Sequence, residues 1–295
     1  MAVEIGTATN YSDLAAKLNT FLTSNAALIA AGQAWTNLRA TSTEHIWRAP
    51  GLSGTEQIYV GVRRYFDTVG DYYNWEVAGF TGFVTENAWT AQPGKNTNGI
   101  YLPLWNNSIP YWFIANGQRA VVVAKVGTTY HLGYLGKFLP YATPGQYPYP
   151  LLVAGMNNTS TWRYSNAGNT HIVRALDECG QMYTPGGGWF YVNNSITNDT
   201  YLNSWPCDSL GNYSSAMSKV AAFTSGDVTL LPVILNSGTY VAGIMNVFGE
   251  LDGVYWCPGV SAAAESIITI DTVDYLVIQN GVNTTTTDFA AVRLS

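Results

Sequence analysis

The chain has 295 residues, a formal net charge of −6, and only 11 % charged residues against 47 % hydrophobic ones. Its length suffices for one large core or two smaller ones, and its 20 tyrosines and 10 tryptophans exclude an intrinsically disordered chain, which lacks the side chains needed to offset backbone entropy. With no basic cluster beyond Arg63-Arg64, a groove that tracks nucleic-acid phosphates is excluded as well.

The amino-terminal MAVEIGTATNYSDLAAKL has neither the basic nor the apolar region of a secretory signal, and no apolar run reaches membrane-spanning length. No membrane partner is therefore expected. The Asn-x-Ser/Thr triplets at Asn106, Asn157, Asn193, Asn198 and Asn212 then read as chance matches in an Asn- and Thr-rich chain. Asn10 or Ser12 caps a helix expected to run to about Ser24, with Leu14, Leu18, Phe21 and Leu22 on one face and Asp13 in the first turn. Ala26–Ala31 is a second, Ala-rich piece that stops at Gly32.

From Trp35 the hydrophobic period changes to two. Glu44–Trp47 is expected to be a strand ending at the Ala49-Pro50-Gly51 turn. Gln57–Phe66 and Asp71–Phe83 alternate apolar and polar positions and are rich in β-branched and aromatic residues, so they read as half-buried strands. Tyr101–Trp105 leads into a hairpin: the apolar run Val121–Val123, a Gly127-Thr128 turn, then Tyr130–Leu135, with one strand largely buried. Next comes PYATPGQYPYP, in which Pro140, Pro144, Pro148 and Pro150 alternate with Tyr141, Tyr147 and Tyr149. Proline has no amide hydrogen and a fixed φ, so this segment is expected to be an extended strap laid over the domain and held by its tyrosines.

Asn157–Asn169 is polar and turn-rich, Gly186–Gly188 is a break, and Asn193–Asn212 is loop-like, with Trp205 and Cys207 tacking it down. This middle third is where the chain is expected to reach outward. Val228–Leu235 is a strand interrupted by Pro232, an edge or a bulge, and Thr239–Phe248 follows the Asn236-Ser237-Gly238 turn. Glu265–Ile270 and Tyr275–Gln279 flank Asp271–Asp274 as a hairpin, and Phe289–Leu294 reads as a last strand. The fold class expected is mainly β with a short N-terminal helix: a β-sandwich or barrel-like core with long loops. Residues 1–156 form the helix, β core and strap; 157–226 form a loop-rich interaction insert; 227–295 complete the core or make a second β domain.

No catalytic constellation emerges. Only His45, His131 and His171 are available, and no GxSxG turn accompanies them; Gly51-Leu52-Ser53-Gly54 is one residue short of it. His131, among apolar strand residues, reads as a core or interface histidine. Asp177-Glu178 and Glu250/Asp252 are close carboxylate pairs whose spacing is no glycosidase signature. Gly186–Gly188 lacks the Lys-Ser/Thr of a phosphate loop, and no His/Cys/carboxylate cluster has metal-ligand spacing, so no catalytic residue, cofactor or metal is expected. The odd set Cys179, Cys207 and Cys257 reads as reduced, partly buried thiols, with a bridge between two of them or between subunits as the sharper alternative. Aromatics beside Asn can stack on sugars, and Trp162, Trp189, Tyr191 and Trp205 are the choice for such a site, although packing is their ordinary use. Low charge with abundant Tyr and Trp is the composition of interface cores, so much of the surface is expected to lie against other subunits. Tyr141, Tyr147, Tyr149, Trp162, Trp189, Tyr191 and Trp205 are the candidate interface residues.

Several word-like segments, in order, resemble a family of virion structural proteins of tailed bacteriophages. They are EHIWRAPGLSGTEQIYVGVRRY at Glu44–Tyr65, YYNWEVAGFTGF at Tyr72–Phe83, the whole of Leu102–Gly155, GELDGVYWCPG at Gly249–Gly259 and YLVIQN at Tyr275–Asn280. Asn157–Asn246 is more divergent, and Cys257 stands where an apolar residue is expected. The resemblance implies a non-enzymatic structural subunit of the virion, in the neck, collar or tail, assembled in the host cytoplasm against copies of itself and other virion proteins. The alternatives it leaves open are a receptor- or glycan-binding tail module, with a host-surface glycan as partner, and a capsid decoration protein. It supplies no catalytic residues.

Overall fold

The computed structural model describes residues 1–174, 178–192, 202–206, 228–237, 246–259, 262–282 and 289–295. Helix α1 (Tyr11–Ser24) starts where the sequence places it: the Asn10 side chain accepts hydrogen bonds from the N–H groups of Ser12 (2.9 Å) and Asp13 (3.0 Å). Two of the orphan donors of the first turn are thereby satisfied. Leu14, Leu18, Phe21 and Leu22 are buried. Asn10→Ala is expected to cost about 1 kcal/mol, read as a Tm lower by roughly 2–4 °C; an unchanged Tm would show the cap to be idle. Helix α2 (Ala26–Ala30) is a single short turn beyond it.

Strands β2 (Thr36–Ala40), β3 (Glu44–Ala49), β4 (Ile58–Asp67), β5 (Tyr72–Phe80) and β6 (Ile100–Leu104) form a five-stranded antiparallel sheet in chain order. The long alternating segments recognised in the sequence are β4 and β5, paired from Tyr59↔Phe80 to Asp67↔Tyr72.

The larger sheet starts with a strand that the sequence did not reveal, β1 (Ala2–Ala8), paired with β7 (Ile109–Ala115). It continues through β8 (Arg119–Val126), β9 (Thr129–Lys137), β11 (Leu151–Ala154), β12 (Gly180–Tyr183), β13 (Trp189–Val192), β14 (Leu202–Trp205), β15 (Leu231–Ser237), β16 (Asn246–Cys257), β19 (Phe289–Arg293), β18 (Val273–Ile278) and β17 (Ile267–Ile270); β10 (Leu139–Pro140) pairs with β16 off this path. The β13–β14 pair is parallel, so the sheet is mixed. The protein is mainly β as expected, but its sheets do not close into a barrel.

The central strands explain the apolar run of the sequence. Ala120, Val122, Ala124 and Val126 of β8 face a core shared with α1 and the five-stranded sheet, while Val121 and Val123 face a second core. That second core also contains Leu235, Leu251, Val254, Trp256, Leu276 and Ile278, so the C-terminal half of the sheet folds back over the central strands. Strands covered on both faces lose polar/apolar alternation, and both strands of the β8–β9 hairpin are buried, not one. Each fully buried valine here contributes on the order of 1.5–3 kcal/mol of transfer free energy.

Other elements depart from the sequence reading. The described part of residues 157–226 contributes β12, β13 and β14 to the large sheet. At Pro232, by contrast, the bulge is found of the two expected alternatives, an edge or a bulge: the register of β15 on β16 shifts between Pro232 and Ile234, inside a strand paired on both sides. The strand expected at Thr239–Phe248 is described only from Asn246 and runs on to Cys257, because Leu251, Val254 and Trp256 have a core to enter that local pattern cannot display. The Asp271-Thr272 turn has positive φ at both residues (48° and 70°), which matches the twist of the two-residue hairpin β17–β18.

Candidate interaction surface

The Pro/Tyr strap runs from β9 to β11 and crosses the C-terminal strands. It lies directly on β16: Leu139 and Pro140 pair with Glu250 and Gly249, and a Cβ at Gly249 would sit 2.1 Å from the Leu139 carbonyl oxygen. Only glycine permits that approach. The three tyrosines do different things. Tyr147 is 1 % exposed, donates its hydroxyl to the Tyr183 carbonyl and packs edge-on against Phe138. Tyr149, 41 % exposed, stands edge-on to Tyr183. Tyr141 is 58 % exposed; its amide donates to the Phe248 carbonyl (2.9 Å) and its hydroxyl to Glu250 Oε2 (2.9 Å).

Tyr141 forms one wall of an apolar groove of about 430 Å³ whose other sides are Trp205, Ile234, Asn236 and Val247. Cross-strand register assembles it. Trp205 lies opposite Ile234 in β14–β15, and Asn236 opposite Val247 in β15–β16, so these side chains rise on one sheet face. Val247 is itself 42 % exposed.

The remaining aromatic candidates do not join this groove. Trp189 donates its indole N–H to the Gly94 carbonyl (2.7 Å) and its ring covers Gly79, where a Cβ would lie 2.4 Å from the ring. Tyr191 is half-buried, and burial raises its pKa while hydrogen bonds with Asn158 and Asn98 oppose the rise. Trp162 is half-buried in a loop whose Ser160 and Trp162 carbonyls accept from Asn74 Nδ2 at 2.7 and 2.9 Å. With Asn157 and Asn169 fully buried as well, this polar loop is docked onto β5 instead of reaching outward. Trp162, Trp189, Tyr191 and Trp205 thus do not make a single sugar platform. Ile234, Asn236 and Val247 were not legible as groove residues, since their placement depends on strand pairing.

The polar candidates are structural in their contacts. His131 and His171 are fully buried, and burial lowers both imidazoles to about 3, so they are neutral at physiological pH. His45 stacks on Trp47, with burial and then Arg64 lowering its pKa. Glu250 serves Tyr141, whereas Asp252 accepts from Asn116 Nδ2 (2.8 Å) and Gln118 Nε2 (2.9 Å) and pairs with the fully buried Arg119 (Nε–Oδ2 3.4 Å). Glu178 accepts from Asn158; Asp177 lies outside the described residues. Cys179 and Cys257 are buried, and burial pushes the Cys257 thiol up to about 12, a protonated and unreactive state; Cys207 lies outside the described residues.

No model of a known protein family matches the chain, and no curated protein matches it. Among the described residues no helix is long and apolar enough to cross a membrane.

Proposed function

We propose that this chain is a structural subunit of a tailed-bacteriophage virion, in the neck, collar or tail, assembled in the host cytoplasm and held by contacts with copies of itself and with other virion proteins. The observation that carries the reading is the groove of Tyr141, Trp205, Ile234 and Val247: an apolar surface on the large sheet, with aromatic side chains of the kind that anchor protein interfaces. The exposed hairpin at the end of the large sheet adds to it. Ile267 and Ile270 of β17 are 51 % and 36 % exposed, and no described strand pairs with the outer edge of β17. Unassembled proteins ordinarily protect such an edge with charge or proline. The segments that resemble phage virion proteins fall on β3 to β11, β16 and β18.

The test is assembly. The purified chain is expected to form a discrete oligomer at concentrations of about 10–100 μM by light scattering, Val247→Glu is expected to shift it to monomer without lowering its Tm, and mass spectrometry of purified virions is expected to detect the chain. A monomer at every concentration, together with its absence from virions, would discard the reading.

A further inference from the structure

A second cleft, which shares no lining residue with the groove, lies where the strap passes the five-stranded sheet, and it has a different chemical character. Its volume is about 400 Å³, the lower range of small-molecule sites. Ile58 and Leu151, both buried, make an apolar floor, and the exposed ring of Tyr149 with Pro148 forms the strap wall. Polar side chains of both senses line it as well: Gln57, Tyr59, Thr81 and the Glu56–Lys137 ion pair.

These groups are held in place before any ligand arrives. The Tyr59 hydroxyl donates to Gln57 Oε1 (2.5 Å). Glu56 is fixed by its amide, which donates to the Pro50 carbonyl (2.7 Å), and by Gly51, where a Cβ would meet the Glu56 side chain at 2.4 Å. Lys137 ends β9, its amide donating to the Gln118 carbonyl (2.9 Å). Since Lys137 is neutralised by Glu56, an anion gains no net attraction here, and a cation none either. An apolar ligand would leave the amide, hydroxyls and ion pair facing carbon, which is costly.

From this geometry we propose that the cleft binds a neutral sugar ring. A pyranose has one C–H face for the Tyr149 ring and the Ile58–Leu151 floor, and a hydroxyl edge that both donates and accepts, as the Gln57 amide and the Glu56–Lys137 pair require. The proposal does not depend on the virion reading, because every group belongs to a single chain. It also places sugar recognition away from Trp162, Trp189, Tyr191 and Trp205.

Saturation-transfer NMR on the full chain tests it, with glucose, galactose, mannose, N-acetylglucosamine, maltose and lactose as probes, and glucose 6-phosphate and glycerol as controls. For a ligand of this size a Kd of about 1–10 mM is expected for at least one neutral sugar. Tyr149→Ala and Gln57→Ala, both at exposed positions, are each expected to weaken it about fivefold or more with Tm unchanged, and Tyr141→Ala, which does not line the cleft, is expected to leave it unaltered. Absence of transfer from all six neutral sugars overturns the proposal. So does undiminished transfer in Tyr149→Ala, or a tenfold preference for glucose 6-phosphate over glucose. Loss of oligomerisation in Val247→Glu with sugar binding intact separates this site from the assembly surface.

Discussion

Arg119→Leu is expected to lower stability by about 3–5 kcal/mol, with a Tm roughly 5–15 °C below the parent protein. Arg119 is 0 % exposed in the second core; besides Asp252 it reaches the Ile114 carbonyl (Nη1–O 3.3 Å) and Met1 Sδ (Nη2–S 3.2 Å). It therefore ties β8 to β16 and to the start of β1. Leucine would fill part of the volume but leave the Asp252 carboxylate, 18 % exposed, facing an apolar wall without its cation. An uncompensated buried charge, not the lost contact, dominates the cost. The double variant Arg119→Leu/Asp252→Asn removes that charge and is expected to recover part of the loss. Chemical denaturation of both proteins measures the difference. A cost below about 1 kcal/mol for the single variant would mean that Asp252 is already served by Asn116, Gln118 and water.

The second large effect is expected at Glu76 of β5, which is 3 % exposed. Its carboxylate is shared by Arg63 and Lys95 (Nζ–Oε1 3.1 Å) and accepts the Trp89 indole N–H at 3.1 Å. The Arg63 guanidinium also lies over the Trp89 ring at 5.6 Å. Glu76→Gln leaves two cations around a neutral amide and is expected to cost roughly 3 kcal/mol, the low end of the range because Arg63 remains 29 % exposed. Both carboxylates also predict a pH dependence. Burial pushes Glu76 up, but Lys95, Arg63 and the donated hydrogen bonds outweigh it, so its pKa lies below the usual carboxylate value. Burial likewise raises Asp252, and Arg119 with the Asn116 and Gln118 amides overcomes that. A lowered native pKa means that the unfolded chain binds protons first. The stabilisation is then complete above the unfolded carboxylate pKa of about 4, and it is lost as pH falls through the native values. The urea midpoint should drop between about pH 5 and 2, and Glu76→Gln should flatten that drop; an equally steep fall in the variant would place the acid sensitivity elsewhere.

Neither network was visible as such in the sequence. Arg63 stood out only as half of a basic pair, and Asp252 only as half of a carboxylate pair, because the partners of each come from other strands. Glu76 lies 13 residues from Arg63 and from Trp89, and Asp252 lies 134 residues from Gln118. The same holds for the groove, where Tyr141 meets Trp205 and Val247 through sheet register, and for the sugar cleft, where Gln57 and Tyr149 come from different layers. Strand β1 escaped because seven residues with one charge and one glycine have a weak period, and its stability comes from pairing with β7.

Local chemistry, by contrast, spoke clearly. Asn10 before an amphipathic run, alternation in β4 and β5, Gly127-Thr128 between two apolar segments, the prolines of the strap and the Asp271-Thr272 turn each state a backbone preference within a few residues. That is what the amino-acid sequence determined by itself: a mainly β chain, its first helix, most strand positions, and a proline-stiffened strap. The tertiary structure alone decided that the large sheet folds back on itself, which tyrosines are buried, and which charges share a core. Local preferences act over one turn or one strand, whereas burial and charge pairing depend on which strands become neighbours, and that is settled only when the whole sheet is assembled.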